Sequence, residues 1–213
     1  MRPNIEPQQS ALYRRKMIVV MLVALLASVI LILGPAGVEA LAAAKKEFPV
    51  SEHSSDKLKP SVNGNIVVWE DDRDGKSNVL AKNLTTGEEF VVSTGVEVKR
   101  KPVTNGKFVV WEDERSGNSD VYAKNLTSGE EFIVAGGAGD QRKPSISGDT
   151  VVYESRNAEG KWEIYTYDLT SRNKSAISTG GDNTLSLNPT ISGNTVVWQA
   201  PVTKQKDDGS TVI

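Results

Sequence analysis

The sequence predicts an all-β fold assembled from copies of one four-stranded unit. Three features of its 213 residues lead to that prediction. Prolines recur at Pro60, Pro102, Pro144 and Pro189, which sets a period of 42, 42 and 45 residues. A glycine follows each proline four residues later, and an aromatic residue follows it nine residues later. Spacing kept this closely over four copies is typical of an array of one supersecondary unit.

Each unit alternates short apolar runs with turn-forming residues. In the first unit, a run around residues 60–62 ends at Asn63-Gly64, a dipeptide that suits a tight hairpin. The next run, residues 66–69, is β-branched and aromatic, as buried strands are. Residues 79–84 and 88–93 supply the third and fourth strands. Outside the N-terminus no stretch has the apolar period of an amphipathic helix.

Four antiparallel strands at this period fit the blades of a β-propeller, in which each sheet packs on its neighbours. Helical repeats of similar length do not fit, because the units lack apolar residues at helical spacing. The prediction is therefore a β-propeller of about four blades. They are residues 59–100, 101–142, 143–187 and an incomplete fourth unit, 188–213.

The repeat pattern KPSISGxTVVWEDxRxGNxDVYAxNLTxGEE resembles the TolB-type, WD-like propeller repeat of bacterial and archaeal cell-surface and secreted proteins. The resemblance extends from Glu47 to the C-terminus, and the first two units match best. The third unit departs from the pattern at Tyr153, at residues 154–156 and at residues 171–173. The resemblance implies an architecture more than an activity, because this scaffold hosts many functions.

Residues 1–40 are predicted to be a signal peptide or a retained signal anchor. Arg14-Arg15-Lys16 precedes an unbroken apolar run of 17 residues, 17–33, that would form an N-terminal hydrophobic helix. Small residues at 38–40 offer a cleavage site after Ala40. Both alternatives place the repeats outside the cytoplasm, at the cell surface, in the periplasm or in the medium.

Residues 41–58 are predicted to be a linker that contains one isolated strand, residues 47–51. Phe48 stands 12 residues before Pro60, as Phe90 stands 12 before Pro102, so the segment matches the fourth strand of a unit. Such a strand often completes the last blade and closes the ring. Two alternatives remain open: a closed four-bladed ring, or a fragment of a longer propeller.

Composition argues against several function classes. The net charge of −2 does not suggest the clustered basic surface that binds nucleic acid, and the absence of cysteine excludes thiol chemistry. His53 is the single histidine, and the residues around it resemble no catalytic triad. We therefore predict a protein that is not an enzyme.

Acidic residues cluster after the second strand of the first two units. Clustered carboxylates could hold Ca²⁺, which prefers several oxygen ligands, and the candidate ligands are Asp71, Asp72, Asp74, Asp113 and Glu114. The spacing matches no EF-hand loop, so charge pairing within and between blades is the favoured interpretation. No other metal or cofactor is predicted.

The strand order places the loops between units on one face, where rigid scaffolds usually carry binding residues. The predicted interaction residues on this face are Arg73, Arg100, Lys101, Arg115, Arg142, Lys143 and Trp162. Trp162 lies outside the repeat register. Trp69, Trp111 and Trp198 keep that register in an apolar strand and are predicted to pack in the core.

Together these features predict an exported, non-catalytic propeller that binds an unknown protein or cell-envelope ligand. Contact with a membrane is expected only through residues 17–33, if the signal is retained. Two alternatives are the propeller part of a larger secreted hydrolase and a structural component of the cell envelope. The sequence leaves the ligand and the oligomeric state open.

Overall fold

The computed structural model describes residues 47–178 and 186–200, together with the backbone of residues 18–20, 204–205 and 211–212. Every regular element in these ranges is a β-strand. The first, β1 (Ile18–Val20), pairs antiparallel with β2 (Glu47–Pro49). The rest of the predicted signal segment and its hydrophobic helix lie outside the described residues. Within the described ranges, no helix has the length and apolar composition that crossing a membrane requires.

Three four-stranded antiparallel sheets follow, each a meander in chain order, and they form blades 1 to 3. Blade 1 contains β3 (Lys57–Asn63), β4 (Ile66–Asp71), β5 (Asn78–Asn83) and β6 (Glu89–Ser93). Blade 2 contains β7 (Lys99–Thr104), β8 (Phe108–Asp113), β9 (Asp120–Asn125) and β10 (Glu131–Ala135). Blade 3 contains β11 (Gln141–Ser147), β12 (Thr150–Arg156), β13 (Trp162–Asp168) and β14 (Lys174–Ala176).

Blade 4 is described in part. It begins with the antiparallel pair β15 (Leu187–Ser192) and β16 (Thr195–Gln199). A second antiparallel pair, β17 (Lys204–Gln205) and β18 (Thr211–Val212), follows in the chain. The all-β class, the four-stranded unit and the period are therefore confirmed. In blade 1 the first two strands extend one to three residues beyond the predicted runs, the third is shifted by one residue, and the fourth begins one residue later.

A bulge interrupts the first strand of each blade at the residue before proline. Lys59, Lys101, Lys143 and Asn188 adopt φ values between 49° and 55°, a region that side-chain-bearing residues seldom occupy. The pairing register between the first and second strands shifts at the same place in every blade. Because proline has no N–H to donate to the ladder, a bulge is where a strand accommodates it.

The blades pack face to face through the second strand. Trp111 and Val109 of blade 2 pack against Val68, Ala81 and other buried residues of blade 1. In the same way, Tyr153 and neighbouring residues of blade 3 pack against blade 2. Trp69 and Trp111 are fully buried, which confirms their predicted place in the core. Trp198 differs, because 37% of its surface stays exposed on the two-stranded sheet of blade 4.

The isolated N-terminal strand packs on blade 1 as a fourth strand would. Val50, which follows β2, is fully buried and packs with Trp69. Val92, at the same place in the repeat 42 residues later, packs with Trp111. Glu47–Pro49 thus lies where the outer strand of a blade preceding blade 1 belongs, whereas ring closure by this strand remains a prediction.

Candidate interaction face

Blades 1 and 2 each carry a buried aspartate that joins a tryptophan to an arginine, here called the Trp–Asp–Arg lock. In blade 1 the Trp69 Nε1–H donates to Asp71 Oδ2 at 2.9 Å. The Arg73 guanidinium holds both carboxylate oxygens, with Nε 2.8 Å from Oδ1 and Nη2 2.9 Å from Oδ2. Arg73 also reaches Glu89 of β6 at 2.6 Å. The lock therefore ties the second strand to the hairpin that follows it and to the outer strand.

The lock of blade 2 repeats this arrangement. Asp113 Oδ2 lies 2.9 Å from Trp111 Nε1 and 2.5 Å from Arg115 Nη2, and Arg115 pairs with Glu131 at 2.7 Å. The Arg115 guanidinium also stacks on the Tyr122 ring, 4.2 Å from its centre. Two arginines predicted for binding are thus engaged by the propeller itself, Arg73 inside blade 1 and Arg115 inside blade 2 and with Ser93 of blade 1, to which it donates at 3.3 Å.

The locks hold both aspartates ionised. Burial alone would raise the pKa of Asp71, but hydrogen bonds from Arg73, Trp69 and Ser55 outweigh it and lower the pKa below its usual range. The pKa of Asp113 is lowered in the same way, with burial opposed by Arg115 and Trp111. A carboxylate that already accepts this many hydrogen bonds is a poor ligand for an added cation.

The calcium candidates do not converge. Asp72 and Asp74 are exposed, and Asp72 accepts a hydrogen bond from the Asp56 backbone N–H at 2.9 Å. Glu114 lies 3.7 Å from Arg100. In the part of the chain that the structure describes, no three His, Asp or Glu side chains are placed to hold a metal ion.

Blade 3 lacks the lock because Tyr153 and Ser155 replace the tryptophan and the aspartate. The Tyr153 ring stacks on Tyr165 with centres 5.9 Å apart, and its hydroxyl is buried without a hydrogen-bond partner among the described residues. Burial raises the pKa of this hydroxyl.

A glutamate on the second strand of blades 1, 2 and 3 bonds to the next blade, and we call each such contact a staple. Glu70 Oε1 accepts from the Lys101 backbone N–H at 2.6 Å, and Glu112 Oε1 accepts from that of Lys143 at 2.6 Å. Glu154 Oε1 accepts from that of Asn188. Each donor is the bulge residue before proline, so the left-handed conformation directs its N–H away from its own sheet towards the preceding blade.

Two clefts open between blades on the face that carries the inter-unit loops. The first cleft, between blades 1 and 2, has a volume of about 440 Å³, and the second cleft, between blades 2 and 3, has about 390 Å³. Most positions that line the second lie 42 residues after a position that lines the first, such as Arg142 after Arg100 and Glu114 after Asp72. Arg100 lines both. The repeat therefore places the same kind of cleft at successive blade junctions.

The clefts differ in charge. The first is acidic, since Asp56, Glu70, Asp71, Asp72 and Glu97 outnumber Lys76 and Arg100. The second is mixed, with Arg100, Lys101 and Arg142 beside Glu112, Glu114 and Asp140. Three of the predicted interaction residues thus meet in one cleft.

Lys143 and Trp162 lie close to Glu154 and Arg142. Lys143 Nζ lies 3.2 Å from Glu154 Oε1 and 2.6 Å from Asn188 Oδ1. Arg142 stacks on the Trp162 ring at 3.7 Å from its centre while its Nε lies 2.7 Å from Glu154 Oε2. Trp162 is half-buried, so it supports Arg142 more than it offers a bare aromatic surface.

A third cavity on this face was not predicted. It has a volume of about 670 Å³ and is lined by the loop 136–139, by Gln141 and by residues from the β12–β13 hairpin, including Arg156. Gln141 takes the place of buried lysines in blades 1 and 2, and its Oε1 is buried without a partner among the described residues. The glycine-rich run GGAG, where the preceding unit has TGVE, was the available sequence signal.

The blades, staples and clefts define a β-propeller repeat protein, and its fold is of the TolB type. TolB from Acinetobacter baumannii superposes with a TM-score of 0.51 at 15% identity, over 78% of this chain and 42% of that one. A TolB-type protein from Agrobacterium tumefaciens gives 0.50 at 15% identity, over 62% and 52%. A puromycin hydrolase gives 0.52 at 14% identity, over 78% and 26%.

At such low sequence identities, the superpositions establish the fold alone. The chain spans about half the length, or less, of these three solved structures. No protein-family model matches the sequence, and no curated protein matches it.

Proposed function

We propose that the chain is an exported, non-catalytic propeller that binds a protein or cell-envelope partner through the face bearing the clefts, at the cell surface or in the periplasm. The observation that supports this most directly is the second cleft, where Arg100, Lys101 and Arg142 come together from two blades. Arg100 keeps 52% of its side chain exposed, and the one ion pair that it forms with the described residues, to Glu114, is long at 3.7 Å. A cation this weakly engaged is available to a partner.

The other basic residues of the face contrast with Arg100. Arg73 and Arg115 are bound to buried aspartates within the locks. Their role is to fix the hairpins that form the cleft walls. Lys101 and Arg142 also pair with buried carboxylates, Lys101 with Glu112 at 2.9 Å and Arg142 with Glu154 at 2.7 Å. Recognition would then centre on Arg100, with Lys101, Arg142 and the neighbouring carboxylates giving the second cleft charges of both signs, so a partner with charges of both signs fits it best.

Site-specific photo-cross-linking in intact cells tests this proposal. A photoreactive amino acid at Glu114, on the rim of the second cleft, is expected to capture a defined partner. The same probe at Thr127, on an exposed turn, should not capture it. Replacing the exposed Arg100 by glutamate should abolish the adduct. Equal capture from both positions, or capture that survives the charge reversal, would contradict the proposal.

A second candidate is the propeller part of a larger secreted hydrolase. The match to 26% of a puromycin hydrolase favours it, since a propeller of this fold occurs in that longer protein. A catalytic domain encoded downstream of Ile213 in the same reading frame would support this alternative, and a stop codon there would exclude it.

A further inference from the structure

Blade 1 presents a face that is covered in the later blades. Pro60 is exposed, whereas Pro102, Pro144 and Pro189 are buried. Val62 is 57% exposed, whereas Thr104 and Ile191, at the same repeat position, are 5% and 9% exposed. The difference arises because blades 2 to 4 have a blade packed on this face of the first strand.

Blade 4 presents the complementary face. Val68, Val110 and Val152 are fully buried on the second strands of blades 1 to 3. Val68 and Val110 belong to the clusters that pack against the following blade. Val197 holds the same repeat position on β16 and is 55% exposed. Blade 4 therefore has an apolar surface suited to a following blade.

The two faces also carry the donor and the acceptor positions that form a staple at the interior junctions. Lys59 has a φ of 49°, as Lys101 does, and its N–H meets no side-chain acceptor in the part of the chain that the structure describes. Gln199 stands where the stapling glutamates stand in the other blades. Its Oε1 accepts one hydrogen bond, from Asn188 Nδ2, and a carbonyl oxygen can accept two.

We propose that these end faces bind each other between two copies of this chain, with blade 4 of one copy seated on blade 1 of the other. Each end face carries the residues that form one side of an interior blade junction. The open face of blade 4 therefore matches the surface that packs on the first strand in blades 2 to 4, and it is the surface that best fits blade 1. Such a head-to-tail contact is heterologous, and it closes into a ring when the rotation per copy allows.

The N-terminal strand strengthens this assignment. Val50 already packs on Trp69 as Val92 packs on Trp111. The outer position of the blade that precedes blade 1 is therefore occupied, and the inner part beside Pro60 and Val62 is open. The inner strands of a second copy's blade 4 would fill that part, so the junction would contain strands from both chains.

Single cysteines can test the contact, because the chain contains no cysteine. Full-length Lys59→Cys and Gln199→Cys chains, both exposed positions, would be co-expressed, extracted in mild detergent and treated with a short bismaleimide. We expect a product of twice the 23.0 kDa chain mass. Either variant expressed alone should give no such product. In a pair of identical variants, the two cysteines lie at two different contacts between the copies and cannot reach each other. Co-expressed Thr86→Cys and Ser128→Cys chains, with cysteines on exposed turns, control for random collision.

A double variant with both cysteines in one chain separates the alternatives. Cross-linking inside a monomer, with none between co-expressed single variants, would mean that one chain closes its own ring and would overturn the proposal. Absence of any cross-link would overturn it as well. As a second measurement, light scattering of the uncross-linked full chain should give a dimer, and Val197→Glu should convert it to a monomer. A monomeric wild-type chain would contradict the proposal.

Discussion

Glu112 on blade 2 accepts a hydrogen bond from the backbone N–H of Lys143 on blade 3, with 2.6 Å between Oε1 and N. The carboxylate is buried, and the donor sits in a left-handed conformation with φ of 52°. The same relationship joins Glu70 to Lys101. A repeated bond across each junction fixes how adjacent blades are placed, and that placement shapes the clefts.

Replacing Glu112 by alanine should destabilise the protein by about 2 kcal/mol, because the Lys143 N–H loses its charged acceptor and Lys101 Nζ, 2.9 Å from the same oxygen, loses its ion pair. Glu112→Gln keeps an oxygen acceptor and should cost roughly half as much. Urea unfolding followed by tryptophan fluorescence measures both. Glu130→Ala removes an exposed ion pair with Arg172 and serves as the control, with an expected effect below about 0.5 kcal/mol. A Glu112→Ala effect no larger than the control would contradict the staple.

Stability should fall in acid through the locked aspartates. Because the folded protein lowers the pKa of Asp71 and Asp113, their contribution is complete above the pKa of an unfolded aspartate, about 3.9. It is lost as the pH falls from there towards the folded pKa. Asp113→Asn should lower stability near neutral pH and flatten the acid limb. Both effects can be measured as unfolding free energies from pH 6 to pH 2. Asp74→Asn is the control for the loss of a surface charge.

Tyr153→Phe is expected to stabilise the protein by about 1 kcal/mol, since a buried unpaired hydroxyl costs roughly that much or more. Tyr165→Phe is the matched control. Its hydroxyl donates to Glu163 Oε2 at 3.1 Å, so its removal should be neutral or mildly destabilising. Thermal unfolding of both variants decides the matter. A lower melting temperature for Tyr153→Phe would show that its hydroxyl has a partner in solution.

Val50→Ala should cost about 1.5 kcal/mol from lost burial of two methyl groups, and somewhat more if a cavity remains. Val96, at 70% exposure, provides the control, and Val96→Ala should change little. Chemical unfolding compares the two variants. Equal effects would mean that residues 47–51 do not pack on blade 1.

The repeat period predicted the blades well because the spacing of the repeated residues alone indicates where each four-stranded unit begins. The proline, glycine and aromatic positions gave the strand order and the buried places of Trp69 and Trp111. Trp198 was misjudged, because burial also depends on the neighbouring strands and blade, which the position within a repeat does not reveal. The acidic residues after the second strand indicated charge pairing. They did not indicate that the Trp69 indole would join the lock as a third member.

The clefts and staples could not be predicted from residue types. A staple depends on the left-handed bulge at Lys101, and a lysine before proline does not by itself indicate that conformation. The second cleft depends on the packing of blade 2 on blade 3, which places Arg100 near Arg142 although 42 residues separate them. Gln141 replaces the lysine of blades 1 and 2 in blade 3, so its place in the third cavity was visible only in the structure.

Amide hydrogen exchange on the full chain tests the blade architecture most directly. We expect slow exchange in β4, β8 and β12, the buried second strands, and fast exchange in the turns between them, so that protection repeats every 42 residues. The Lys101 and Lys143 amides should share that protection, because each donates to a glutamate of the preceding blade. Protection without this period, or fast exchange at both lysines, would contradict a propeller of stapled blades.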